Sequence, residues 1–187
     1  MKRLLLGTAT ACIALAWSHA SRADDLFGIA LRQPIRIQEC TTRQGDYIPD
    51  DNSQCFKWPS GAGRSSAIPA NGQIIVNVPP EDRPAFMSGA DVVVGLSNGL
   101  VASVSAKTHG ALEDTQDLGK LERLFGKSHP QYLSSNQPYQ SYQSIRADWT
   151  LQEDETVYFN STEFGMYYGL VRIQTASATQ HQPSIWD

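Results

Sequence analysis

Apolar and polar positions along this 187-residue chain follow two regimes that change near residue 73. Before it, regular periodicity is scarce. Leu26-Phe27-Gly28-Ile29 and Ile35-Arg36-Ile37 each supply a short apolar contact, and Pro49, Asp50, Asp51 and Asn52 mark a turn. After it, β-branched runs dominate: 73–78, stopped by Pro79-Pro80, then 91–96 and 100–106, joined through Ser97-Asn98-Gly99. Asn-Gly between apolar runs is the strongest short-range hairpin signal, because both turn residues take positive φ. A two-residue turn at Asn98-Gly99 sets Leu96 opposite Val101 and Val93 opposite Val104.

Residues 115–125 change to a helical period. Leu118, Leu121, Leu124 and Phe125 share one stripe, Asp114 or Thr115 is placed to cap the start, and Gly126-Lys127 with Pro130 ends it. Further on, Ile145, Ala147, Trp149 and Leu151 alternate with Arg146, Asp148 and Thr150, and 156–160 and 169–175 read as two more strands. The pattern predicts an α+β fold: an antiparallel sheet of about five to six strands packed against one main helix, with a disulfide-stapled N-terminal segment. The expected divisions are a signal peptide over 1–20, an irregular cysteine-bearing segment over 21–72, the α+β core over 73–175 and a polar tail over 176–187.

The first residues change the setting of this fold. Lys2 and Arg3 precede an apolar stretch, 4–17, too short to span a bilayer, and Ser18-His19-Ala20 offers small residues before a cut, with Ser21-Arg22-Ala23 as an alternative. This predicts a cleaved secretory signal and a periplasmic or secreted protein. Cys12 lies within the apolar stretch, where Ala9-Thr10-Ala11 makes a poor lipobox. Cleavage leaves Cys40 and Cys55, and an isolated pair in an exported chain predicts a disulfide. A metal site would need a second pair or a nearby histidine.

Composition narrows the chemistry. With 15 Lys+Arg against 19 Asp+Glu, the chain is acidic and lacks the basic face of a nucleic-acid binder, and a mean hydropathy of −0.34 leaves no room for several membrane spans. No cofactor motif is present, and Ser60-Gly61-Ala62-Gly63-Arg64-Ser65-Ser66 lacks the spacing of a phosphate-binding loop. The run Asp50-Asp51-Asn52 with Asp46 matches no calcium loop and reads as a solvated turn; no metal is expected. Glu153-Asp154-Glu155 reads as a charged hairpin tip, and His109, His129 and His181 as solvated residues on separate loops.

One catalytic motif is literally present. Gly95-Leu96-Ser97-Asn98-Gly99 matches the Gly-x-Ser-x-Gly nucleophile elbow, which places a serine between a strand and a helix. A triad in that order would use Ser97, then Asp148 or Asp154, then His181. The β-branched residues and serines after Gly99 disfavour the helix that the elbow requires. The other distinctive stretch, 131–144, carries Tyr132, Tyr139 and Tyr142 among Gln and Ser, a composition that fits an adaptable contact loop and a disordered insertion equally. Trp149 fits the core, and Trp186 in the tail is a candidate anchor.

The order Phe27-Gly28-Ile29-x-Leu31-x-x-Pro34, then Glu39-Cys40, then a strand-hairpin-helix-strand run ending in Ala147-x-Trp149, resembles small exported Gram-negative proteins of unassigned function. In that pattern Gly stands where this chain has Arg32. The resemblance implies an envelope address. The expected function is non-enzymatic binding of another protein of the envelope or exterior, as in an inhibitor, an immunity factor or an envelope accessory protein. The alternatives are a small secreted serine hydrolase and a carrier of an apolar ligand held between helix and sheet.

Overall fold

The computed structural model describes residues 26–49, 51–65, 67–137, 140–151 and 154–179. The expected signal peptide, the end of the polar tail, Tyr139, His181 and Trp186 lie outside them. Ten strands are present among the described residues: β1 (Thr42–Arg43), β2 (Asp46–Tyr47), β3 (Cys55–Lys57), β4 (Gly72–Asn77), β5 (Asp91–Ser97), β6 (Leu100–Thr108), β7 (Gln131–Gln137), β8 (Gln140–Thr150), β9 (Glu155–Asn160) and β10 (Gly169–Thr175). The helix α1 spans Asp114–Phe125. Strands β1 and β2 make a small separate hairpin, and the rest form one eight-stranded antiparallel sheet in the order β3-β4-β5-β6-β10-β9-β8-β7.

This order joins two meanders. β3 to β6 run consecutively, β7 to β10 do the same, and β10 returns to lie beside β6. The connection between them is α1, which carries the chain from β6 to the far edge and covers one sheet face on the way. Leu118 and Leu121 are buried there and belong to one continuous core with Val104, Ala106, Ile145 and Phe159. Trp149 joins that core, and its indole N–H donates to the Gly126 carbonyl at 2.9 Å, tying the helix end to β8. Phe27, Ile29 and Leu31 of the N-terminal segment are also fully buried, and Phe27 meets Phe86 edge-to-face at 6.3 Å.

The α+β class, the single main helix and the Cys40–Cys55 disulfide are present. The strand number is corrected upward, to eight in the sheet. One addition, β3, arises in the cysteine-bearing segment, where three residues suffice once the disulfide and β4 hold them. The other, β7, replaces the expected loop: its pairing with β8 runs unbroken from Gln131↔Arg146 to Gln137↔Gln140. The hairpin register is as expected at Leu96↔Val101 but shifts by one beyond it, so Val93 faces Ser105 and not Val104. The cause is a bulge between Gly95 and Leu96, which takes up one extra residue. Helix capping also differs: Glu113 is the N-cap and makes no side-chain cap hydrogen bond, while Asp114 Oδ1 accepts the Thr115 N–H at 2.6 Å.

No helix among the described residues is long and apolar enough to cross a membrane. The disulfide is compatible with an oxidising compartment.

Candidate functional site

The surface richest in exposed apolar and aromatic side chains lies at one end of the sheet, and its position follows from unequal strand lengths. β8 pairs with β9 only between Arg146 and Thr150, whereas it pairs with β7 along its first seven residues. Residues 131–137 and 140–145 therefore extend past β9 as a two-stranded arm. At the base of the arm, Ser161 donates its N–H to the Ile145 carbonyl at 2.9 Å and accepts the Ile145 N–H on Oγ at 2.8 Å. This fixes the β9–β10 loop beside the arm.

The short 3-10 turn Gly110–Leu112 reaches the same loop. Ala111 N–H donates to the Met166 carbonyl at 2.8 Å. Gly110 has φ 77°, and any Cβ there would collide with the backbone of Met166 and Tyr167, so only glycine allows the turn and the loop to touch. Three segments are thus held together, and each presents an exposed apolar residue: Tyr132 (57% exposed) from β7, Leu112 (75%) from the turn and Tyr167 (62%) from the loop, with Tyr168 next to Tyr167 in the chain. Lys107 lies over the rings of Phe164 and Tyr168 at 5.5 and 5.4 Å. Aromatic rings with a polar tip, supported on fixed backbone, bury large area at low entropic cost.

Of the tyrosines marked from sequence, the arm carries Tyr132, opposite Ile145, and the half-buried Tyr142, opposite Ser135, three positions apart and on opposite faces of the sheet. Leu112, Tyr167 and Tyr168 escaped the sequence reading. The signal was available: Phe164, Met166, Tyr167 and Tyr168 crowd a segment between Ser161 and Gly169 that continues neither flanking strand.

Among the described residues, Ser97 and Asp148 are not brought together, and His181 lies outside them. Asn98 and Gly99 take φ 52° and 78°, and β6 begins directly at Leu100, so Ser97 precedes a hairpin turn and not the helix of an elbow. The turn is braced from outside, Asn98 N–H donating to Asn71 Oδ1 at 2.9 Å and Gly99 N–H to the Ala70 carbonyl at 2.7 Å. Asp148 sits on β8, four strand spacings from β5, which is about 19 Å at roughly 4.8 Å each. Asp154 lies in the turn before β9 with φ 61°.

Two polar residues expected to be solvated are held by partners instead. Glu155 is buried, and its carboxylate lies 3.1 Å from the Arg32 guanidinium. Arg32 itself has φ 61°, a left-handed position where glycine is the easier residue. His109 is likewise no free loop histidine. Its N–H and Nδ1 both reach the fully buried Asp117, at 3.0 and 3.1 Å, and Lys120 donates to the same carboxylate at 2.9 Å. Glu113 lies 3.8 Å from His109 Nδ1, so three groups of metal-ligating type converge here. With the Lys120 ammonium already on Asp117, the cluster acts as a lock between the turn and α1. At Cys40, Asp51 and Cys55, the sulfurs are consumed by the disulfide.

Beside α1 a cleft of about 380 Å³ is lined by Leu26, Pro84, Phe86 and Leu124 together with Lys120 and Arg123. A cleft of about 610 Å³ opens elsewhere, lined by Asp148, Tyr158, Glu163, Arg172 and Gln174 among others. Arg172 Nε donates to Ser105 Oγ at 3.0 Å, and burial together with the Glu163 charge pushes the Tyr158 phenol above its usual range. Its lining mixes these groups with Trp149, Val157 and Ala178. Compared with protein-family models, with curated proteins and with solved structures, the chain matches none.

Proposed function

We propose that this chain is an exported, non-enzymatic binding protein whose partner is another protein of the cell envelope or exterior. The observation that carries the reading is the aromatic end: Leu112, Tyr132 and Tyr167 are exposed on three segments that backbone hydrogen bonds hold in fixed relation. Such a surface provides rigid anchors of the type that dominate protein interfaces. An inhibitor, an immunity factor or an envelope accessory protein would each use it in this way. The disulfide supports the compartment.

Comparative capture from envelope extract tests the reading. The wild-type protein should retain a partner that Tyr167→Ala with Tyr168→Ala loses, while Arg172→Ala in the cleft beside Tyr158 retains it. Equal capture by all three proteins would contradict the assignment. Labelling of Ser97 by a fluorophosphonate, lost in Ser97→Ala, would support the serine hydrolase in its place.

A further inference from the structure

The two edges of the eight-stranded sheet are treated differently. At the β3 edge, Phe56 N–H donates to the Gln38 carbonyl at 2.9 Å and Cys40 N–H donates to the Phe56 carbonyl at 2.8 Å. The segment leading into Cys40 thus lies along β3 as a parallel bridge, and the disulfide holds it there. That edge is covered. β7 at the other edge has β8 as its sole strand neighbour among the described residues. Alternate residues of an antiparallel edge strand aim N–H and C=O away from their partner, so β7 presents an unpaired ladder roughly 23 Å long at about 3.3 Å per residue.

Natural edges are blunted with lysines, prolines, bulges or short length. Gln131-Tyr132-Leu133-Ser134-Ser135-Asn136-Gln137 has none of these: it is seven residues long, uncharged, free of proline and glycine, and in unbroken register with β8. It also complements itself. Antiparallel pairing of two copies about Ser134 sets Gln131 opposite Gln137, Tyr132 opposite Asn136 and Leu133 opposite Ser135, with no charge at any position. A chain with net charge −4 repels its own copies, and this strip adds no charge of its own to that repulsion.

We propose that the β7 edges of two copies pair antiparallel about Ser134, joining two sheets into one across a two-fold axis. The covered β3 edge stops growth there, so the product is a closed dimer and not a fibre. This inference stands apart from the heterologous partner above, because it concerns the backbone edge of β7 and requires no second protein.

Light scattering on the purified, disulfide-bonded protein tests it without any partner present. The expected mass is twice that of the chain. Ser134→Lys, which sets two ammonium groups face to face on the axis at an exposed position, should give a monomer with an unchanged circular dichroism spectrum. Ser134→Cys should give a covalent dimer that reductant dissolves, since directly opposed residues lie within disulfide reach, while Leu112→Cys should not. A monomeric wild type, or a dimer indifferent to Ser134→Lys with no crosslink through Ser134→Cys, overturns the proposal.

Discussion

At the residue scale, the informative positions are those where a side chain is forced into a role its type resists or uniquely permits. Gly99 holds φ 78° in the β5–β6 turn, so Gly99→Val should destabilise the protein by about 1–3 kcal/mol in chemical denaturation. Ser97→Ala beside it should stay within about 0.5 kcal/mol, as for an ordinary surface change. Glu122 shows a pH effect. Hydrogen bonds from Lys127 and Ser128 hold its carboxyl down to about 2, well below its ordinary value. A group more acidic in the fold than in the unfolded chain stabilises the fold above its ordinary pKa, and that stabilisation is lost as pH falls toward 2. Thermal melts across that acidic range should therefore fall more steeply for wild type than for Glu122→Gln. Identical slopes would mean that the Lys127 and Ser128 contacts do not persist in solution.

At the scale of elements, legibility tracked the strength of the local signal. Helix α1 was readable because Leu118 and Leu121 repeat at the helical period and face the core, and Leu121→Ala should cost about 2–5 kcal/mol by denaturant titration. A loss under about half a kcal/mol would mean an exposed stripe. The β5–β6 hairpin was readable from Asn98-Gly99, but its bulge was not, since one inserted residue leaves no mark in a run already rich in valine and serine. β7 was illegible for a different reason. Its pairing rests on backbone hydrogen bonds to β8, while its Gln, Ser and Asn residues show none of the apolar alternation that announces a strand. Tyr132 was marked correctly as exposed, but as part of a loop and not as the edge of a sheet. The roles of Glu155 and His109 depended on Arg32 and Asp117, partners that the sequence alone does not bring near.

At the scale of the whole molecule, one buried core links both meanders, α1 and the N-terminal segment, while the disulfide closes a 15-residue separation at the β3 edge. Replacing both cysteines by serine should cost about 3 kcal/mol in the chain-entropy description, and should also loosen the strip that covers β3. In the proposed function, the rest of the molecule serves to hold the aromatic end in place: the arm by its register with β8, the loop by Ser161, and the turn by Gly110 and the His109–Asp117 lock. Site-specific photocrosslinking in living cells tests that claim most directly, with a photoreactive residue placed at Tyr167 and, as a control, at Thr150 on the exposed part of β8. The account predicts a discrete adduct to a second, different protein from position 167 and none from 150. No adduct from 167, or the same adducts from both positions, would contradict it.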